Sequence, residues 1–297
     1  MAREYLEAVT DQIFLVQGEN EGRFPRSHSI LITTEKIVLI DTGCGISRLK
    51  KLAREFEIDY IINSHTHIDH SAGNWLFQDR RIFVPQESFS TSGDLMALGK
   101  RFVGDVLGPI WQQFAQTQTH FKNCRPTHSY TAETVFQIDG VVLTPLYTPG
   151  HTIDHYCFYY EPKQVLFSCD YDLTSFPWYG HQESSLTEFR RSIDRLKKMP
   201  TKVVVSSHRG IITSKIKAEW KAYSQILDER SQRILNLLDS PKTLDQLVEA
   251  KPIYQKFPYQ EPLLRYWERM MIHLHLKELQ DAKKVHQQGE KFHLQKK

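Results

Sequence analysis

The run His65-Thr-His67-Ile-Asp69-His70 constrains this chain more than any other feature of its sequence. Three imidazoles and a carboxylate follow directly on the apolar stretch Tyr60-Ile-Ile-Asn63. Such a set is costly to hold together without a cation: protonated histidines repel one another, and burial demands neutral, paired groups. In extended backbone, residues two apart point to the same side, so His65 and His67 can share one metal. Asp69 and His70 then turn to face a second. Imidazole and carboxylate ligands suit zinc, and also iron or manganese. The expected cofactor is therefore two divalent metal ions, Zn2+ in the first place, with Fe or Mn as alternatives.

Short β-branched runs alternate with helical stretches from residue 13 to about 210, the pattern of an α/β domain. Strands are expected at 13–16, 29–33, 37–40, 60–63, 82–84, 141–147, 155–160, 164–168 and 203–206. Four of them end on polar clusters: Asp41-Thr-Gly43, the histidine run, Cys169-Asp170 and Ser207-His208-Arg209. Open α/β sheets place ligands just outside strand ends, so these termini and Thr148-Pro-Gly-His151 should converge on one site.

Residues 86–134 interrupt the alternation with a helical pattern rich in aromatics (Phe89, Phe102, Trp111, Phe114, Phe121), a candidate lid or a surface helical hairpin. Ser185-Leu-Thr-Glu188 has the form of a capping box opening a helix that Pro200 ends, and Thr243-Leu-Asp-Gln246 is another. After Gly210 strand patterning ceases and the chain reads as helical, with Trp267, Met270, Met271, Leu274 and Leu279 at helical spacing and a short hairpin over 285–294. Helix, helix, long helix and hairpin is the order of a winged-helix module. The expected division is a catalytic domain over 1–220 and a small winged-helix-like domain over 221–297.

Composition bounds the function less tightly. At 297 residues, 40% hydrophobic and 25% charged, the chain resembles an ordinary globular protein, and no apolar run approaches the roughly 18 residues of a membrane span. The leading residues carry acids where a secretory leader would carry a basic stretch and a long apolar run, so a cytoplasmic protein is expected. Four scattered cysteines without a C-x-x-C pair argue against a zinc ribbon or a disulfide framework. A net charge of +3 makes no case for nucleic acid by itself.

His65 to His70 match the H-x-H-x-D-H signature, and the chain resembles the metallo-β-lactamase superfamily at this motif and at Asp41-Thr-Gly43, Thr148-Pro-Gly-His151, Ser168-Cys-Asp170 and Ser206-Ser-His208. The resemblance implies a four-layer αβ/βα sandwich of two mixed sheets. It also implies that His65, His67 and His151 hold one metal, that Asp69, His70 and His208 hold the other, and that Asp170 bridges them. Asp69 and Asp170 are thereby the catalytic carboxylates, and Asp41 supports a ligand from behind. The family usually has glycine where this chain has Cys169 and Arg209, which bears on local backbone geometry. Cys169 is read as a small buried filler, and Arg209 and His181 as candidate substrate contacts. Thr148-Pro-Gly-His-Thr-Ile-Asp-His155 and Ile272-His-Leu-His-Leu-Lys-Glu-Leu279 resemble the glyoxalase II-like branch, and within it lactamase-like proteins with a C-terminal winged helix. That group includes thioesterases acting on carrier-bound acyl chains and an endoribonuclease of animal mitochondria.

Two ions sharing a water would lower its pKa from about 15.7 to around 7 and clamp both oxygens of a displacement, so a metal-bridging hydroxide is the expected nucleophile. The leading expectation is hydrolysis of an ester or thioester, with a small-molecule or carrier-bound acyl substrate. The alternative is an endoribonuclease acting on single-stranded RNA through Lys283, Lys284, Lys291, Lys296 and Lys297. Iron-dependent oxidoreductase chemistry and a non-catalytic regulator rank lower. A homodimer is a further candidate assembly.

Overall fold

The computed structural model describes residues 3–257 and 261–295. Two sheets carry the fold. The first contains β1 (Leu6–Ala8), β2 (Ile13–Val16), β3 (Ser29–Thr33), β4 (Ile37–Ile40), β5 (Tyr60–Ile62), β6 (Arg81–Pro85) and β7 (His128–Tyr130) in that spatial order. β1 to β4 pair antiparallel, and β4 to β7 parallel. The second runs β13-β12-β11-β10-β9-β8, from β8 (Phe136–Ile138), β9 (Val141–Tyr147), β10 (Tyr156–Tyr160), β11 (Val165–Cys169), β12 (Val203–Ser206) and β13 (Gly210–Ile212).

Side chains alternate faces along each strand, and the alternation sorts them into three cores. Ile30 and Ile32 of β3, Val38 and Ile40 of β4, and Tyr60 and Ile62 of β5 meet Tyr156, Phe158, Val165, Phe167 and Val205 between the sheets. The intervening residues Leu31, Leu39 and Ile61 face outward onto Leu49 and Leu52 of α1 (Ile46–Glu55). On the other side, Cys157, Tyr159, Leu166 and Val204 pack under α4 (Leu186–Leu196) and α5 (Ile216–Leu237). The result is the four-layer αβ/βα sandwich expected from the sequence. A short helix, α2 (Ile68–Ser71), carries the end of the histidine run.

The 86–134 segment is a helical hairpin followed by a strand. α3 (Leu95–Thr119) is broken at Gly104, whose φ of 78° and ψ of 178° turn the chain back on itself. The two legs then touch through glycines: a Cβ on Gly99 would lie 3.1 Å from the Gly108 carbonyl oxygen. The segment is thus not helical throughout, because 128–130 add β7 to the parallel edge of the first sheet. Strand pairing likewise continues past residue 210, where β13 folds back on β12.

Beyond β13, α5 runs unbroken across residue 220, so the boundary expected there falls inside a helix. It is followed by β14 (Lys242–Thr243), α6 (Leu244–Ala250), α7 (Glu261–Asp281) and the hairpin β15 (Val285–Gln288) to β16 (Lys291–Leu294), in a three-stranded sheet ordered β14-β16-β15. Thr243 and Gln246 form the full reciprocal capping box at the start of α6. Leu247, Leu263, Met271 and Phe292 of this part share one continuous core with α4 and the outer face of the second sheet. Lys296 and Lys297 lie outside the described residues. Among those described, no helix is long and apolar enough to cross a membrane.

Candidate metal centre

Each sequence-marked cluster sits at a strand terminus on one edge of the sandwich. His65 and His67 follow β5, Asp69 and His70 lie on α2, His151 is in the β9–β10 loop, Asp170 follows β11, and His208 joins β12 to β13. They form two groups whose donor atoms lie within 4.8 Å of one another: His65, His67, His151 and Asp170, and Asp69, His70, Asp170 and His208. Asp170 belongs to both, and its two oxygens divide the work. Oδ2 lies 3.2 Å from His151 Nε2 and 3.7 Å from His65 Nε2, whereas Oδ1 lies 2.8 Å from His70 Nε2 and 3.4 Å from His208 Nε2.

The atoms that face inward are buried: His65 Nε2, His70 Nε2 and Asp170 Oδ1 make no well-aligned hydrogen bond, although the last two stand 2.8 Å apart. The outward nitrogens of four of the histidines are engaged. His70 Nδ1 donates to Asp41 Oδ2 at 2.8 Å, His151 Nδ1 to the Trp178 carbonyl at 2.8 Å, and His208 Nδ1 to the Gly22 carbonyl at 2.6 Å. Ser64 Oγ donates to Asp41 Oδ2 at 2.7 Å and can therefore accept from His65 Nδ1 at 3.0 Å. A proton fixed on the outer nitrogen leaves the lone pair of the inner one toward the cluster, as a metal ligand requires. The donor set and its orphaned inner atoms fit two divalent ions.

Electrostatics point the same way. Burial, then the neighbouring His70 and His151 respectively, hold His65 and His67 well below the ordinary imidazole range, so both are neutral. Burial would also lower His70, but the carboxylates of Asp170 and Asp41 outweigh it and raise the group well above its usual value. His208 is raised to about 9 against its burial, chiefly by Asp170. Asp170 would be raised by burial, yet His70 and His208 hold it well below the carboxylate range. Burial raises Asp69. The protons that gather on His70 and His208 stand where the charge of a cation would lie.

Asp41 sits behind the cluster, accepting from Ser64 N at 2.7 Å as well as from Ser64 Oγ and His70. Its φ of 62° and that of Cys169, 50°, are left-handed. The strain foreseen at Cys169 from the missing glycine is therefore present in the backbone, while its thiol is buried between the sheets and joins neither ligand group. Arg209, a candidate substrate contact, is not among the cavity-lining side chains; its guanidinium pairs with Glu219 at 2.6 Å and donates to the Leu173 carbonyl.

A cavity of about 370 Å³ opens on both groups; His67, Asp69, His151, Asp170 and His208 line its floor. Its walls are aromatic: Phe24, Trp111 and Phe114 from the hairpin side, Phe176 and Trp178 from the loop after Asp170, and Tyr254 and Trp267 from the C-terminal part. His181 lines it too, stacked on Phe102 at 4.1 Å and edge-on to His67 at 4.8 Å. Burial, then His151, keeps His181 well below its usual pKa and so neutral. Arg23 is an arginine on the cavity wall that no motif marked.

Two supporting residues stood inside the run 148–155 with no role assigned to them from the sequence. His155 Nε2 accepts from the Asp170 backbone N–H at 3.1 Å and so steadies the carboxylate common to both groups. Asp154, fully buried, accepts from Thr66 N and Oγ1 within the histidine run and pairs at 2.8 Å with Arg101 of α3, which also holds Glu183. Both close the stretch that begins at Thr148-Pro-Gly-His151, and that crowding of polar residues was the available signal.

The comparisons with known proteins agree with this geometry. The family model described as the metallo-beta-lactamase superfamily matches residues 22–88 and 118–208, leaving out most of the helical hairpin. The lactamase-like protein adaB of Aspergillus niger is 26% identical over 246 residues, covering 79% of this chain and 66% of that protein. The atrochrysone carboxyl ACP thioesterase dmxR1 of a Cryptosporiopsis species is 24% identical, over 76% of this chain and 65% of its own length. The chain thus spans about two thirds of the length of these curated relatives. Among solved structures, a metallo-beta-lactamase family protein from Thermus thermophilus shares the fold with a TM-score of 0.74 at 21% identity, over 97% of this chain and 100% of that one. The match over most of the sandwich, with every ligand position of the motif filled and gathered at one edge, makes this chain a member of the metallo-β-lactamase superfamily.

Proposed function

We propose that the chain is a binuclear metal-dependent hydrolase of esters or thioesters, acting on an apolar acyl group that is carried by a protein or a small thiol. The aromatic cavity that opens onto both ligand groups carries this reading. An apolar-walled cleft with a few convergent polar groups takes an acyl group and expels water around it. Relatives named as ACP thioesterases support the thioester over other acyl bonds.

His65, His67 and His151 would hold one ion, Asp69, His70 and His208 the other, and Asp170 would offer one oxygen to each. When bound, two divalent ions, Zn2+ in the first place, supply Lewis acidity that lowers the pKa of a water to around 7 and polarises a carbonyl. The chain does the rest by holding protons and excluding solvent. Asp41 keeps a proton on the outer nitrogen of His70 and, through Ser64, on that of His65. The Trp178 and Gly22 carbonyls do the same for His151 and His208. Neutral His181 on the cavity wall is a substrate-side hydrogen-bonding group.

We further propose a winged-helix-like unit from about residue 221, which the order α5, α6, α7 and a two-stranded hairpin supports, and membership of the glyoxalase II-like branch, which the runs at 148–155 and 272–279 support. Metal-replete protein, loaded separately with zinc, iron and manganese, should be assayed on acyl thioesters, lactones, phosphodiesters and single-stranded RNA. Turnover of thioesters that chelation abolishes is expected. Salt-sensitive cleavage of RNA without thioester turnover would overturn the reading in favour of the nuclease.

A further inference from the structure

Arg230 of α5 is 1% exposed, and among the described residues it makes no direct ion pair; the buried Glu268 is the carboxylate that feels its charge, from further off. A buried guanidinium without a directly bonded counter-charge is expensive, and what it holds should explain why it is there. Its Nη1 donates to the Pro177 carbonyl at 2.5 Å and to the Tyr179 hydroxyl at 2.9 Å, and its Cζ lies 4.5 Å from the centre of the Phe176 ring. It therefore grips the main chain and side chains on both sides of Trp178.

The grip is continued by neutral partners. Having accepted from Arg230, the Tyr179 hydroxyl donates to His275 Nε2 at 2.8 Å. That assignment puts the His275 proton on Nδ1, which donates to Ser231 Oγ at 2.8 Å, and Ser231 passes its own proton to the Leu227 carbonyl. Burial and the nearby arginines keep His275 uncharged, as the chain of donors requires. Between these contacts, the Trp178 carbonyl receives His151 Nδ1–H, whose Nε2 faces Asp170 Oδ2 and His67 Nδ1 at 3.2 and 2.8 Å.

We infer that Arg230 is a positioning residue of one half of the metal centre: from the C-terminal helices it clamps the Phe176–Tyr179 loop so that the Trp178 carbonyl fixes the tautomer and aim of His151. The inference rests on the two-metal reading above. It makes the C-terminal helices part of what builds the His65, His67 and His151 site, and leaves the Asp69, His70 and His208 site to be oriented by Asp41 and Gly22.

The test is a metal titration of full-length wild type, Arg230→Met and Arg230→Lys, by competition with a chromophoric chelator for zinc and by the visible spectrum of the cobalt-loaded proteins. Loss of a partner behind a ligand weakens a metal by about 10- to 100-fold, and Arg230 acts one bond further out, so a weakening of about tenfold is expected. Arg230→Met should weaken one ion by that factor and leave the other within about twofold, with the cobalt spectrum of the weakened site altered; Arg230→Lys, which keeps a donor, should lie between. Tyr179→Phe, which removes only the hydroxyl, should weaken the same ion in a smaller degree and serves if Arg230→Met does not fold. Unchanged affinity for both ions in folded Arg230→Met, or equal weakening of both, overturns the inference. A wild type that binds fewer than two ions overturns the two-metal reading itself, and this inference with it.

Discussion

Asp41→Asn is the sharpest probe of the centre, because three donors converge on one carboxylate. His70 Nδ1 lies 2.8 Å from it, and Ser64 N and Oγ each lie 2.7 Å away. Asparagine presents one oxygen and one NH2, so whichever way the amide turns, an N–H meets a donor. The cheapest relief is for His70 to give up its Nδ1 proton and carry it on Nε2, where the lone pair is needed. A hydrogen bond to a charged acceptor is worth roughly 1.5–3 kcal/mol, or about 10- to 150-fold in affinity. The His70 site should therefore lose affinity by about that factor, and the His65 site less, since Asp41 reaches His65 only through Ser64. Both ions are affected, in contrast to the single ion expected for Arg230. Zinc competition titration with a thermal melt as a control on folding measures it. Wild-type affinity at both sites in folded Asp41→Asn would refute the reasoning.

Asp170→Ala removes the one carboxylate shared by both groups and should abolish binding of both ions and turnover, whereas His181→Ala should keep both ions; a His181→Ala as inactive as Asp170→Ala with metals retained would make His181 the acid for the leaving group. Asp154 bears on acid stability: burial alone would raise its pKa, but Arg101 and Thr66 outweigh it and lower the group to about 2 from 3.8. A depressed pKa contributes stability that is present above the unfolded value and lost as pH falls from about 4 toward 2, here roughly 2 kcal/mol, so Asp154→Asn should unfold with a visibly shallower acid transition by circular dichroism. Chelation should lower the melting temperature, because an ion at about 100 times its dissociation constant contributes roughly 2.7 kcal/mol to the folded state; an unchanged melt after verified metal removal would tell against a site that forms only on folding.

What the sequence disclosed follows from what repeats along it. The long strands β3, β9 and β10 were legible because five to seven residues suffice to display alternation or an unbroken apolar run. β1, β7, β8 and β13 are three residues each, too short for any period, and exist because a neighbouring strand offers an edge. The two groups of histidines and carboxylates were legible because imidazole and carboxylate crowd at strand ends. Their outer partners were only half so: Asp41 is a side chain in a motif, but the carbonyls of Gly22 and Trp178 could belong to any residue. The aromatic walls were visible as residues and not as a cavity, since spacing does not tell which face of α3 or α7 turns toward the centre.

The two ligand groups share a carboxylate, yet they draw on both sheets. His65, His67, Asp69 and His70 come from the edge of the first sheet, and His151, Asp170 and His208 from that of the second. Neither sheet holds a complete group by itself, so the seam between them is where the ions would act as rivets. Parallel pairing of distant strands and closure of long loops are slow steps in chain assembly. A metal-capture signal would therefore report the docking of the two halves, and the rate of metal uptake during refolding would time that event separately from the formation of either sheet.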